Sequence, residues 1–87
     1  MDISKYNLND DDLAFYNDIV FNLVENQASI TLSFDDNSFQ IDPCGNIFEV
    51  WQNGKILGKF SSIDDLFLNF NLDNLPFILQ LSKIDYE

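Results

Sequence analysis

From Ser29 to Phe60 apolar residues recur at every second position, and three short turn clusters cut the run, which directs the middle of the chain into an antiparallel meander. Ile30, Leu32 and Phe34 alternate with Ser29, Thr31 and Ser33, and the alternation resumes after Asp35-Asp36-Asn37 with Phe39 and Ile41. Asp42-Pro43-Cys44-Gly45-Asn46 makes the second turn. Asn53-Gly54, the strongest short hairpin signal, joins Ile47–Gln52 to Lys55–Phe60. Four strands are expected. A two-residue loop at Asp36-Asn37 pairs Phe34 with Phe39 and Leu32 with Ile41. The next turn pairs Ile41 with Phe48 and Phe39 with Val50, and the last pairs Val50 with Leu57 and Trp51 with Ile56. One face then carries Ile30, Leu32, Phe34, Phe39, Ile41, Phe48, Val50 and Leu57 as a core face. The other carries Thr31, Ser33, Gln40, Glu49, Trp51 and Ile56, with Ile47 and Phe60 nearby; a bulge would invert part of this assignment.

The flanking segments follow a different period. Asn9 supplies an N-cap and Asp10, Asp11 and Asp12 suit the first turn of a helix, where carboxylates complement the helix dipole. Leu13, Tyr16, Ile19, Val20, Leu23 and Val24 then share one face, predicting a helix from about residue 10 to residue 26, with Phe15 and Phe21 off the main stripe. Ser62-Ile63-Asp64-Asp65 has capping-box spacing, and Ile63, Leu66, Phe67 and Phe70 continue it as a short helix. Asn74-Leu75-Pro76 resembles another helix start, so 76–82 is read as helix, although Phe77, Leu79 and Leu81 also alternate as in a strand. The expected fold is α+β: an N-terminal helix, a four-stranded antiparallel meander, and one or two short C-terminal helices in a single domain, 1–87.

Charge narrows function more than any motif. Fifteen carboxylates face four lysines, with no arginine and no histidine, giving a net charge of -11. Such a field repels nucleic acid and anionic membranes and draws basic partners in. Without imidazole no side chain titrates near neutrality, and without guanidinium there is no bidentate phosphate clamp. A hydrophobic content of 46% separates the chain from disordered acidic sequences. Cys44 is the single cysteine, so no intrachain disulfide forms, and a reducing cytoplasmic setting is expected. The start, Met1 to Tyr6, lacks the basic and apolar regions of a signal peptide, and no apolar run approaches the length needed to span a bilayer.

The acidic clusters have structural readings. Asp10 to Asp12 point in different directions on a helix, Asp35-Asp36-Asn37-Ser38 lacks the alternation of a calcium loop, and Asp64-Asp65 begin a helix. Paired carboxylates can hydrolyse glycosides without histidine, but this length leaves little material for the cleft. Cys44 has no histidine to act as its base. No cofactor or metal site is expected. Trp51 and Ile56 remain as a cross-strand pair beside Glu49. Either helix 1 or the C-terminal segment covers them, or they form an aromatic anchor with an acidic rim. Asp42 belongs with the carboxylates that have no local structural role, and Phe15 beside Asp18 is a second candidate of the same kind.

The run Asn46-Ile47-Phe48-Glu49-Val50-Trp51-Gln52-Asn53-Gly54-Lys55, followed by Phe60-Ser61-Ser62-Ile63-Asp64-Asp65-Leu66 and Ile84-Asp85-Tyr86-Glu87, resembles the small acidic immunity proteins that bacteria make against polymorphic or contact-dependent toxins. The resemblance implies a non-catalytic, stoichiometric inhibitor of a basic toxin such as a nuclease. The alternatives are an acidic regulatory adaptor, monomeric or homodimeric through the Trp51 face, an acidic surface imitating DNA, and a small carboxylate enzyme or divalent-metal binder.

Overall fold

The computed structural model describes residues 3–87; Met1 and Asp2, where the reading of the N-terminal segment begins, lie outside the described residues. After a 3-10 turn at Ile3–Tyr6, helix α1 spans Asp10–Val20 and continues as one wide π turn, Phe21–Glu25. Asn9 caps α1, its side-chain oxygen accepting from the Asp12 N–H at 2.8 Å. Tyr16, Ile19 and Leu23 are buried. The π turn, closed by the Asn26 N–H on the Phe21 carbonyl at 3.0 Å, breaks the 3.6-residue stripe, so Val24 turns outward instead of packing.

Four strands follow as a meander, β1 (Ile30–Phe34), β2 (Asn37–Cys44), β3 (Ile47–Gln52) and β4 (Lys55–Phe60). Helix α2 (Ile63–Asn69), a small hairpin of β5 (Asn71–Leu72) and β6 (Leu75–Pro76), two 3-10 turns at Phe77–Leu79 and Leu81–Lys83, and strand β7 (Ile84–Tyr86) complete the chain. The sheet has five antiparallel strands in the order β4-β3-β2-β1-β7, because β7 returns to pair with β1. The α+β class and the meander are as the sequence predicts. The fifth strand and the 3-10 turns in place of a helix over 76–82 are corrections.

Two hairpin registers differ from expectation by two residues. Phe34 pairs with Asn37, so the first loop is Asp35-Asp36, and Leu32 faces Phe39 while Ile30 faces Ile41. Both aspartates have positive φ, 51° and 63°, the I′ geometry that suits the twist of a two-residue hairpin and that Asx side chains tolerate. Cys44 pairs with Ile47 across Gly45-Asn46, which puts Val50 opposite Ile41 and Phe48 opposite Pro43. A shift of two preserves parity, so every side chain of β1 to β3 keeps its face.

Strand β4 differs in kind. Trp51 pairs with Ile56 as expected, but Val50 then faces Gly58, leaving Leu57 as the extra residue of a bulge, 48% exposed rather than in the core. Beyond the bulge the faces invert. Gly58 and Phe60 turn inward, correcting the placement of Phe60, and Lys59 turns outward opposite Glu49. Gly58 has a steric reason: a Cβ there would lie 2.9 Å from the Phe60 ring.

The inward face of the sheet meets α1, α2 and the C-terminal turns in one hydrophobic cluster. Phe77 is its hub, with ring centroids 5.0 Å from Phe67, 5.8 Å from Phe70 and 6.3 Å from Phe39. Helix α2 is held at its start by Ser62, whose hydroxyl accepts from the Asp65 N–H at 3.0 Å, while the Asp65 carboxylate accepts from the Ser61 N–H at 2.9 Å. Buried Gln80 donates to the carbonyls of Leu72 and Leu75 (3.0 Å for the latter), fastening the β5–β6 hairpin to the turns that follow. Because Phe77 is fully buried among three other rings, Phe77→Ala is expected to remove about 3–5 kcal/mol of unfolding free energy, a large share of the total for a chain this size. Urea denaturation of the two proteins measures it.

Candidate functional site

All the cover that the described residues give the sheet lies on one side. Leu32, Ile41 and Val50 are fully buried, whereas Thr31, Gln40, Ile56, Lys59 and Asp85, which point the other way, are exposed. This answers the question left open at Trp51: neither helix 1 nor the C-terminal segment covers its face. Trp51 lies half-buried among its strand neighbours, opposite Gln40 on one side and Ile56 on the other.

Next to that row stands a second one. Asp42 and Glu49 face each other across β2 and β3, a like-charge cross-strand pair that costs stability where it stands. The two-residue register shift creates it, since the expected register placed Ile47 opposite Asp42. Each acid has one partial compensation. Lys59 approaches Glu49 at 3.8 Å, and the Gln40 amide donates to Asp42 at 2.6 Å. Lys59 is thus drawn to Glu49, while among the described residues Asp42 has a neutral amide, that of Gln40, as its one polar side-chain partner. Between the Trp51 and Asp42 side chains and the β3–β4 turn residues opens a shallow concavity of about 390 Å³ lined by Thr31, Ser38, Gln40, Asp42, Trp51 and Asn53.

Of the residues singled out in the sequence, the structure brings Asp42, Glu49, Trp51 and Ile56 onto one surface and separates Phe15 and Asp18 from it. Those two meet Tyr86 of β7 at the α1 seam. The Phe15 ring stands edge-on to Tyr86 with centroids 5.2 Å apart, and the Tyr86 hydroxyl donates to Asp18 and accepts from the Asn22 amide at 3.4 Å. Their role is to fasten helix to strand. The sequence reading missed Gln40 and the concavity, and only the alternation at Thr31 and Gln40 hinted at them.

The Trp51 indole N–H is closed to solvent and has no acceptor among the described residues. A buried unpaired donor costs about 1–3 kcal/mol, so the free protein retains this side chain at some expense to its own stability. Trp51→Phe removes the donor and is therefore expected to cost less than about 1 kcal/mol, far below the loss at Phe77, as read from paired urea titrations.

Burial and the neighbouring Asp18 push the Tyr86 phenol up to about 12. The folded state then holds a proton that the unfolded chain releases from about pH 10, so this contribution to stability is intact below pH 10 and is lost as pH rises toward 12. Tyr86 is 42% exposed, and solvent screening reduces the loss to about 1 kcal/mol. Urea midpoints followed from about pH 9 to 12 should fall more steeply for the native chain than for Tyr86→Phe.

Among the described residues no group of three or more acidic, cysteine or histidine side chains is placed to hold a metal ion, and no helix is long and apolar enough to cross a membrane. Comparison with family models, with curated proteins and with solved structures finds no match to this chain.

Proposed function

We propose that this protein is a non-catalytic, stoichiometric inhibitor of a basic protein, in the manner of a cytoplasmic immunity protein directed against a toxin such as a nuclease, and that it binds through the bare face of its sheet. The observation that carries the reading is the set of Asp42, Glu49, Trp51 and Ile56 on one uncovered surface of a chain with a net charge of -11. An aromatic side chain at the wall of a depression, with the carboxylates of Asp42 and Glu49 in the next row, is the composition of a binding hot spot, and a basic partner would neutralise that opposed pair. A protein that must hold nucleic acid is basic by necessity, which makes it an electrostatic complement of this one. The chain's lack of histidine and arginine supports binding over catalysis.

A rival reading, an acidic adaptor that dimerises through the same face, draws on exposed Ile56 beside Trp51. Stacking two such faces would bring the Asp42 and Glu49 pairs of both copies together, and that repulsion favours a monomer. Light scattering is expected to report the monomer mass; a dimer that dissociates on Trp51→Glu would support the adaptor instead. Steering by charge predicts that association with a captured basic partner slows by about tenfold or more between about 0.05 and 0.5 M salt, with dissociation changing far less. An association rate that stays flat across that range would overturn the reading.

A further inference from the structure

The geometry points to the concavity beside Trp51 as a receptor for one arginine side chain of a protein partner, with the guanidinium lying against the indole and its N–H groups directed at the Asp42 carboxylate. This deepens the reading above and rests on it, because it names the chemical group by which a basic partner would be recognised.

Four features converge on this assignment. The concavity has about 390 Å³, ample for a single long side chain and too shallow to enclose a larger ligand. Its wall is the one tryptophan in the chain, and indole is the ring on which a cation is held best. Its acidic end is Asp42, which is paired across the strands with Glu49 and is the carboxylate of that pair with no lysine drawn to it among the described residues. Its Gln40 amide donates to Asp42 at 2.6 Å and so fixes the direction of the carboxylate before any partner arrives.

Charge and shape together select arginine over lysine. A guanidinium is planar, stacks on an aromatic face, sheds its hydration more readily than an ammonium, and presents several N–H groups to a carboxylate. The unpaired indole N–H adds an independent sign that Trp51 is not placed here to stabilise the monomer. Seating a cation between Asp42 and Trp51 also relieves the repulsion between Asp42 and Glu49, so part of the binding energy comes from strain already present in the free protein.

Trp51 is its own reporter. Titration of the full chain with an acetylated, amidated tetra-arginine peptide should change the Trp51 emission saturably. The tetra-citrulline peptide, of the same shape without charge, should leave it unchanged, and tetra-lysine should bind at least about threefold more weakly. Asp42→Asn is expected to weaken the arginine peptide by about three- to tenfold, whereas Asp73→Asn, which makes the same change in net charge in the β5–β6 turn, should leave the affinity within about twofold. Equal weakening by both substitutions would show a general response to net charge and overturn the assignment, as would an emission change of the same size with tetra-citrulline. Calorimetry on the same samples separates the two levels of the claim. Heat of binding with a silent Trp51 removes the arginine receptor and leaves the basic partner, while an absence of heat at millimolar peptide removes both.

Discussion

The structure depends on a shortage of cover. One helix with its π turn, one short helix and a few 3-10 turns supply enough apolar surface to bury a single face of a five-stranded sheet, and they all go to the face carrying Leu32, Ile41 and Val50. Phe77 is central to that choice, since it gathers rings from β2, α2 and the segment after α2 into one cluster. Once the cover is committed there, the opposite face has to be tolerable to water. Threonine, glutamine, aspartate, glutamate and lysine along its rows make it so, and the cross-strand pair of Trp51 and exposed Ile56 is the departure.

How far this was legible depended on whether the deciding signal was local. Asn53-Gly54 fixed its own turn, with both residues at positive φ as that dipeptide favours, and the pairing of Trp51 with Ile56 followed from it. The other two turns contained several residues able to take the bend, and Asp35-Asp36 and Gly45-Asn46 won over their neighbours without any change of hydrophobic parity. The bulge at Leu57 was carried by nothing in the alternation. Its one trace is Gly58, the residue whose missing side chain leaves room for the Phe60 ring. Strand β7 was invisible because three residues hold no period, and its partner β1 lies far away along the chain.

The candidate site divides along the same line. Trp51, Ile56 and Glu49 could be placed on one face from alternation alone. The opposition of Asp42 to Glu49 could not, because it depends on a register set by which two residues of a five-residue cluster form the loop. Phe15 and Asp18 stood out as an aromatic next to an acid, but the partner that accounts for them, Tyr86, arrives from the other end of the chain. A sequence shows which residues have no local explanation; it does not show which of them have a distant one.

The bulge in β4 has a consequence for the company the sheet can keep. An edge strand offers unpaired peptide groups to any other extended chain, and a long flat edge invites filaments. Here the outer strand is bent at Leu57 and flanked by exposed Lys55 and Lys59, and the opposite edge, β7, is only three residues long. Growth by adding strands is discouraged at both ends. A partner of the kind proposed would then meet the sheet broadside, through side chains rather than through the backbone, and selectivity would fall to the identity of a few residues on one face.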